Sequence, residues 1–465
     1  MSSLFFVLFL AYYIMLSYFC SQKISDNYLT NKYYMNTNLQ KGVSRRQFLK
    51  TGLVATAAFT IIPRHVLGGK GYTAPSDQIT LGFIGTGKQA RYLVTEFAKR
   101  AKVVAGCDVD TRKLERFKAI TESLYTLAGS SAKGFKAVGD FREIINDKSI
   151  DAVVITTPDH WHAIGVIEAA KAGKDVYCEK PYSHSIEEGR LMVQAIDKYK
   201  RINQTGNMQR SWKNFRDACQ LVRNGHIGDI KEVKVCCGPP PKKFDLPGQP
   251  VPKNLNWDMW VGPAVYNDFH AELSPTLEED IYPNWRDYKE YGNGMTADWG
   301  AHMYDIAQWG LGMDHSGPVA IYPPDKDHKF LTLVYENGVK MTHEDFGRGY
   351  AVRFIGTKGV IDISRGFFET LPGKLNTHEF TDSEIKLHEV NDHYQNWLDC
   401  IRSREQPLCT AEIGHRTASV CFLTNIGYEL QRPLKWDPVK EEFINDAEAN
   451  KLRSGFLRKP WTMNF

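Results

Sequence analysis

The chain has 465 residues, 42% of them apolar and 24% charged, which is the balance of an ordinary globular protein with room for two folded domains. That composition excludes a disordered chain, a collagen-like chain or a repeat array. The formal charge of +4 invites nucleic-acid binding, but residues 1–68 hold seven Lys/Arg against one acid, so the remainder carries 4 − 6 = −2 and has no general attraction for phosphate backbones.

The N-terminal part reads as an address. Ser44-Arg45-Arg46-Gln47-Phe48-Leu49-Lys50 precedes a mildly apolar stretch at 51–62, and no acid occurs from Lys41 to Pro75. A paired arginine before such a stretch resembles a twin-arginine export signal. The expectation is an exported, periplasmic protein that engages the twin-arginine machinery, with residues 1–68 as the targeting segment. The apolar stretch, about 12 residues, is short of the roughly 20 needed to span a bilayer. With no clean A-x-A cleavage site after it, it could remain as an anchor. A second apolar run at 4–19 lies upstream, and two tandem export segments are unusual, so Met35 is the expected start of translation.

Residues 78–84 alternate and are β-branched, as in a strand. Gly85-Thr86-Gly87-Lys88-Gln89-Ala90 follows, a G-x-G-x-x-A turn leading into a helical run at 90–99. Gly85 permits the tight turn and Gly87 lets the backbone approach a pyrophosphate. Ala90 lets the helix pack close to the strand, with its first amides facing the anion. Residues 102–107 form a second strand ending at Asp108, which is 108 − 85 = 23 residues on. An acid there suits a ribose diol and its charge disfavours a 2′-phosphate, so NAD is expected over NADP. Arg112 pulls the other way.

Strands at 151–156, 175–178 and 201–205 then alternate with helices at 162–172 and 185–199. This rhythm predicts an N-terminal Rossmann domain over 76–208, a doubly wound parallel sheet. Ligands of such sheets sit at the carboxyl ends of strands, and Gly85, Asp108, Thr157, Lys180 and Asn207 all fall there. From Ile230 the pattern changes. A Pro- and Trp-rich stretch at 239–287 predicts a lid or pocket wall, with Trp257, Trp260, His270, Trp285 and Arg286 as candidates for sugar contact. Strands at 230–236, 330–335, 339–344, 351–355 and 360–363 predict a C-terminal α+β domain over 209–460, built on an open, mainly antiparallel sheet. Helices at 393–402 and 411–430 cap the body.

The nine cysteines form no C-x-x-C pair or zinc-type cluster. Cys107 and Cys178 read as small core residues, and Cys400–Cys409 is the one candidate bridge. His160 and His162 lack a third ligand at useful spacing, so no metal is expected.

G-x-G-x-x-A at Gly85, the acid at Asp108, T-P-x-x-x-H from Thr157 to His162, E-K-P from Glu179 to Pro181 and D-x-x-x-H from Asp298 to His302 come in this order. Together they resemble the glucose–fructose oxidoreductase, inositol dehydrogenase and MocA family, over about residues 76 to 460. The departure is Ala90 where many members have Gly. The resemblance implies that Lys180 contacts the nicotinamide ribose and the reacting hydroxyl. It also implies that His302 is the general acid/base and that Asp298 orients it or holds substrate. The cofactor would be held by Gly85, Thr86, Gly87, Lys88, Gln89, Asp108, Thr157, Pro158, His162, Glu179, Lys180 and Asn207, and the substrate by Arg210, Trp285, Arg286, Asp298 and His302. Alcohol oxidation needs a cation near the developing alkoxide and a proton acceptor near neutral pH, which Lys and His provide. Residues 294–311 read as one helix with Asp298, His302, Asp305 and Trp309 on one face, and the bland reading of Asp298–His302 is a hydrogen-bonded i, i+4 pair.

The function expected is NAD-dependent oxidation or reduction of a secondary hydroxyl of a sugar, glycoside or cyclitol, with the cofactor held tightly because no free NAD pool exists outside the cytoplasm. The alternatives are a redox-neutral NAD-dependent glycosidase or epimerase and a non-catalytic sugar-binding protein. A homo-oligomer formed through the open sheet is expected.

Overall fold

The computed structural model describes residues 78–465. The twin-arginine segment, the upstream apolar run, Met35 and Cys20 lie outside the described residues. Among the described residues no helix is long and apolar enough to cross a membrane.

The N-terminal sheet contains β1 (Thr80–Ile84), β2 (Lys102–Cys107), β3 (Lys136–Val138), β4 (Ala152–Ile155), β5 (Asp175–Cys178) and β6 (Asn203–Thr205), in the order β3-β2-β1-β4-β5-β6. Every pairing is parallel, so each crossover carries a helix and both faces are covered. These helices are α1 (Lys88–Phe97), α2 (Thr111–Leu127), α3 (Phe141–Asn146), α4 (His162–Lys171) and α5 (Ile186–Tyr199). α1 starts two residues before its sequence reading because Gly85, at φ +87°, makes the whole turn. A Cβ there would stand 2.7 Å from the Thr156 carbonyl carbon. α2 is capped by the Asp110 side chain and α5 by Ser185.

α6 (Lys213–Arg223) leads into the second sheet, whose nine strands run β13-β12-β11-β7-β10-β9-β8-β14-β15. They are β7 (Ile230–Cys236), β8 (Ala320–Tyr322), β9 (Leu331–Val334), β10 (Lys340–His343), β11 (Ala351–Gly356), β12 (Val360–Ile363), β13 (Phe368–Leu371), β14 (Leu434–Asp437) and β15 (Glu442–Phe443). Only β7 and β10 pair in parallel; the other pairings are antiparallel. One face buries Val233, Val235, Met341, Phe354 and Ile361 against α6, α9 (Gly300–Leu311) and α11 (Ala411–Leu430). The other face carries charged ladders: Arg353 on Asp362 at 2.7 Å and Lys234 on Glu344 at 2.9 Å.

The C-terminal helices tie the sheets together. α10 (His393–Ser403) buries Trp397 and Leu398 among Phe83 and Tyr177 of the parallel sheet and Phe97 of α1. α11 packs on both α5 and α9. The eight cysteines among the described residues are buried and free, Cys400 and Cys409 included, so the candidate bridge is absent. Cys107 and Cys178 are core residues, as read.

Candidate active site

The strand order reverses between β1 and β4, and the turns after these two strands part to open a crevice. Ile84, Gly85, Gly87, Lys88, Gln89, Asp108, Thr157 and Pro158 line it. A Cβ on Gly87 would meet nothing within 4 Å, so its backbone faces the open cleft. The N-terminus of α1 receives no side-chain cap from the described residues, which leaves its first amides for a ligand. Asp108 Oδ2 accepts from the Thr86 N–H at 2.7 Å and hydroxyl at 2.8 Å, which fixes the glycine turn to the end of β2. Thr157 Oγ1 is buried with no partner among the described residues. An uncapped helix, an open glycine, a carboxylate on the next strand and an orphaned hydroxyl suit a dinucleotide. Arg112 is held 3.6 Å from Asp110 and does not line the crevice.

Part of the Pro- and Trp-rich stretch closes over this turn. Asp280 pairs with Arg91 and lies 3.0 Å from Arg116 Nη2, while its carbonyl takes the Lys88 ammonium. The Tyr282 hydroxyl donates to Gln89 Oε1 at 3.2 Å. Of the proposed sugar contacts, Trp285 and Arg286 reach the cavity, with the guanidinium 4.3 Å over the indole. On α7 (Trp257–Val261), Trp257 stacks on Trp260 at 4.6 Å inside an aromatic cluster; Trp260 reaches only the crevice wall, and His270 accepts from the Glu272 amide.

The crevice continues into a cavity of about 400 Å³, where Glu179, Lys180, Asp298, Trp299, His302 and Arg365 converge. Lys180 Nζ donates to the Asp298 carbonyl and to Asp298 Oδ1, both at 2.8 Å. Arg286 Nε reaches the same Oδ1 at 3.2 Å. Burial alone would raise the Asp298 carboxyl, but Lys180 and Arg286 outweigh it and hold the group well below the usual carboxylate range. Burial depresses the His302 imidazole well below its ordinary value; Lys180 and Arg365 push it further and Asp298 opposes. His302 is therefore neutral at pH 7, and its buried Nδ1 has no partner among the described residues. Burial raises Glu179 despite the neighbouring Lys180, and Gln89 Nε2 donates to it at 3.0 Å.

The expected helix over 294–311 breaks at Trp299 into α8 (Met295–Asp298) and α9. The His302 amide bonds the Trp299 carbonyl at 3.0 Å, a tightened turn. Asp298 spends its carboxylate on Lys180 and Arg286, so the plain i, i+4 pair with His302 is not what the helix makes. Asp305 and Trp309 share the stripe but not the cavity: Asp305 lies 2.8 Å from Arg210, whose guanidinium stands 5.1 Å over Trp309.

Three residues expected at a ligand are engaged by protein partners in this structure. Arg210 is 1% exposed and holds Asp305 and Asp314, both at 2.8 Å, because a buried guanidinium needs carboxylates more than it needs a ligand. Asn207 is buried and donates to the Ala301 carbonyl at 2.7 Å, anchoring α9 to β6. His162 is buried between the loops after β4 and β5, with Nδ1 2.8 Å from the Pro181 carbonyl and Nε2 3.1 Å from the Thr157 carbonyl, and its single N–H donates to one of them. Sequence reasoning missed Asp159, Tyr282 and Arg365, which line the cavity. Asp159 sits within the T-P-x-x-x-H motif, which was the available signal; Arg365 follows a strand of the other sheet and had none.

Residues 79–207 match the model of the oxidoreductase family's NAD-binding Rossmann fold. Residues 240–463 match its C-terminal alpha/beta domain, and 42–61 match the twin-arginine translocation signal. The chain belongs to the glucose–fructose oxidoreductase, inositol dehydrogenase and MocA family of oxidoreductases. It is 23% identical over 288 residues to scyllo-inositol 2-dehydrogenase (NAD(+)) of Bacillus subtilis, spanning 58% of this chain and 72% of that protein. It is 34% identical over 166 residues to glycosyl hydrolase family 109 protein 2 of Shewanella sp. strain ANA-3, spanning 32% of this chain and only 35% of that protein. The WlbA dehydrogenase of Bordetella pertussis, solved with NADH and UDP-GlcNAcA, superposes with a TM-score of 0.53 at 17% identity, covering 77% of this chain and 99% of that one. That likeness concerns the fold.

Proposed function

We propose that this chain is an exported NAD-dependent oxidoreductase that acts on a secondary hydroxyl of a sugar, glycoside or cyclitol and keeps its dinucleotide bound. The observation that carries the reading is the convergence of Lys180, Asp298 and a neutral His302 in a cavity continuous with the dinucleotide crevice. NAD, when bound, supplies a hydride acceptor. The substrate hydroxyl lies against Lys180 and His302: the ammonium stabilises negative charge developing on oxygen, and the neutral imidazole takes the proton. Asp298 aims the ammonium rather than the imidazole. Trp285, Arg286, Trp299 and Arg365 form the sugar wall, with Gly85, Thr86, Gly87, Lys88, Gln89, Asp108, Thr157, Pro158 and Glu179 around the cofactor. Asp108 favours NAD over NADP. Twin-arginine export moves folded protein, so the cofactor is loaded in the cytoplasm; the strap at 275–283 over the glycine turn supports retention during export to the periplasm. The open face of the nine-stranded sheet is taken as the surface that pairs subunits. Mass spectrometry of the purified protein tests retention, and a sugar and cyclitol panel read by reduced-nicotinamide absorbance tests activity. Protein free of dinucleotide and silent on every alcohol overturns the reading.

A second reading rests on the partial likeness to the family 109 glycosyl hydrolase and on the lack of an external NAD pool: oxidation, elimination of the aglycone, addition of water to the resulting double bond and reduction would give net glycoside hydrolysis. Deuterium exchange at the substrate ring during cleavage of an aryl glycoside distinguishes it.

A further inference from the structure

At the far end of α6, away from the cavity, a turn and a strap bring together three side chains that the proposed chemistry does not use. His226 follows α6; His378 and Glu384 belong to the segment between β13 and α10. His226 Nε2 lies 2.6 Å from Glu384 Oε1, and His378 Nε2 lies 2.9 Å from the same oxygen. The two imidazoles are 4.3 Å apart, and one ligand atom from each of the three residues lies within 4.8 Å of the others. Glu384 Oε2 is occupied by the Thr381 amide at 2.7 Å and its hydroxyl at 3.0 Å, so Oε1 is the oxygen turned toward the rings. The strap is fixed independently: Asn224 exchanges hydrogen bonds with Ile385 at 2.9 and 2.7 Å, and the Leu387 amide donates to Gln220 at 2.8 Å. The side chains of His226, His378 and Glu384 are 23%, 27% and 17% exposed, which is shielded but open to water.

We propose that His226, His378 and Glu384 form a site for a divalent transition-metal ion of the zinc class, with water in the fourth position, that pins the strap 372–392 to the end of α6. Two imidazoles and one carboxylate oxygen are a donor set that suits such an ion. Tetrahedral bonds of 2.0–2.2 Å would set the ligand atoms about 3.3 Å apart. The Nε2–Oε1 separations of 2.6 and 2.9 Å would open by roughly 0.7 and 0.4 Å to reach that spacing, a shift that a turn and a surface strap accommodate. The site was invisible in sequence because His226 and Glu384 are 158 residues apart.

The test uses untagged full-length protein, stripped with chelator and titrated with Zn(II) or Co(II). One equivalent per chain is expected, with the intense visible absorption of four-coordinate Co(II) and a rise in Tm on adding Zn(II). The double variant His378→Ala/Glu384→Gln should lose the Co(II) spectrum and the Tm response, with affinity down by at least about tenfold. Its circular dichroism should match the stripped wild type, and its own Tm in chelator is the baseline from which the missing metal response is read. The wild-type titration decides the matter even if that variant folds poorly. No stoichiometric binding at micromolar metal, an octahedral Co(II) spectrum, or binding unchanged in the double variant overturns the site.

Discussion

Lys180 Nζ is 2.8 Å from both the carbonyl and the carboxylate of Asp298, so one residue of α8 fixes the ammonium by two acceptors. The two residues are 118 apart in sequence and meet only because the parallel sheet and the break at Trp299 face the same cavity. Lys180→Met should lower kcat/KM for the sugar by about 10²–10⁴, because the cation that meets the reacting oxygen is gone. The protein should stay folded, since Arg286 still pairs with Asp298. Asp298→Asn should fall less, because the carbonyl continues to hold Nζ. Steady-state kinetics with circular dichroism checks this; equal turnover in Lys180→Met removes the mechanism.

The neutral His302 makes a prediction about pH. Its unprotonated form is the active one, and burial with Lys180 and Arg365 depresses its pKa below the ordinary 6.5. Activity should fall as pH drops through that depressed value, so the acidic limb of kcat/KM should lie below pH 6.5. Arg365→Gln removes a cation that lowers the pKa, so the limb should move to higher pH. Asp298→Asn removes the opposing anion, so it should move to lower pH. His302→Asn should lose the limb together with about 10²–10⁴ of the rate. A limb that stays put in both charge variants would show that another group titrates.

The contacts of Asp280 with Lys88, Arg91 and Arg116 fasten the strap over the glycine turn. These pairs are partly exposed, so each contributes modestly and is weakened by salt. Asp280→Ala should speed dinucleotide release by roughly two- to tenfold, with kcat little changed on retained cofactor, and salt should narrow the gap from wild type. Stopped-flow displacement of bound NADH measures this. Release as slow as wild type would mean that the strap does not gate the crevice.

What could be read without the fold was whatever is local in chain. Gly85 and Gly87 declare themselves because a strand, a turn and a helix N-terminus are neighbours in sequence, and the run at 360–363 declares a strand by its branched side chains. β3 has the mostly exposed pattern of an edge strand and offers little hydrophobic signal. Arg365, Asp280 and the His226 cluster owe their positions to contacts between distant segments. His162, Asn207 and Arg210 show a different limit. Each lies at the sheet end where ligands bind, and spacing locates the backbone there, but the partner decides where the side chain turns.

Arg210 shows what that turn implies. Its guanidinium is buried against Asp305 and Asp314, and Thr417 adds a hydrogen bond to Asp305 at 3.0 Å. Asp305 is itself fully buried, and burial raises its carboxyl even against the pull of Arg210. Removing the cation leaves that carboxyl without its counter-charge, and breaking a buried pair from one side costs about 3–5 kcal/mol. Arg210→Met should therefore lower the denaturant midpoint substantially. Because the side chain does not line the cavity, KM for the sugar in the folded fraction should stay within about twofold of wild type, against a tenfold or greater rise expected for a direct contact to a charged or hydroxyl group. Arg210→Met/Asp305→Leu should recover part of the stability, since an apolar pair replaces the fully buried ion pair and only the partly exposed Asp314 loses its partner. A variant that keeps its stability but loses sugar affinity would instead return Arg210 to the substrate.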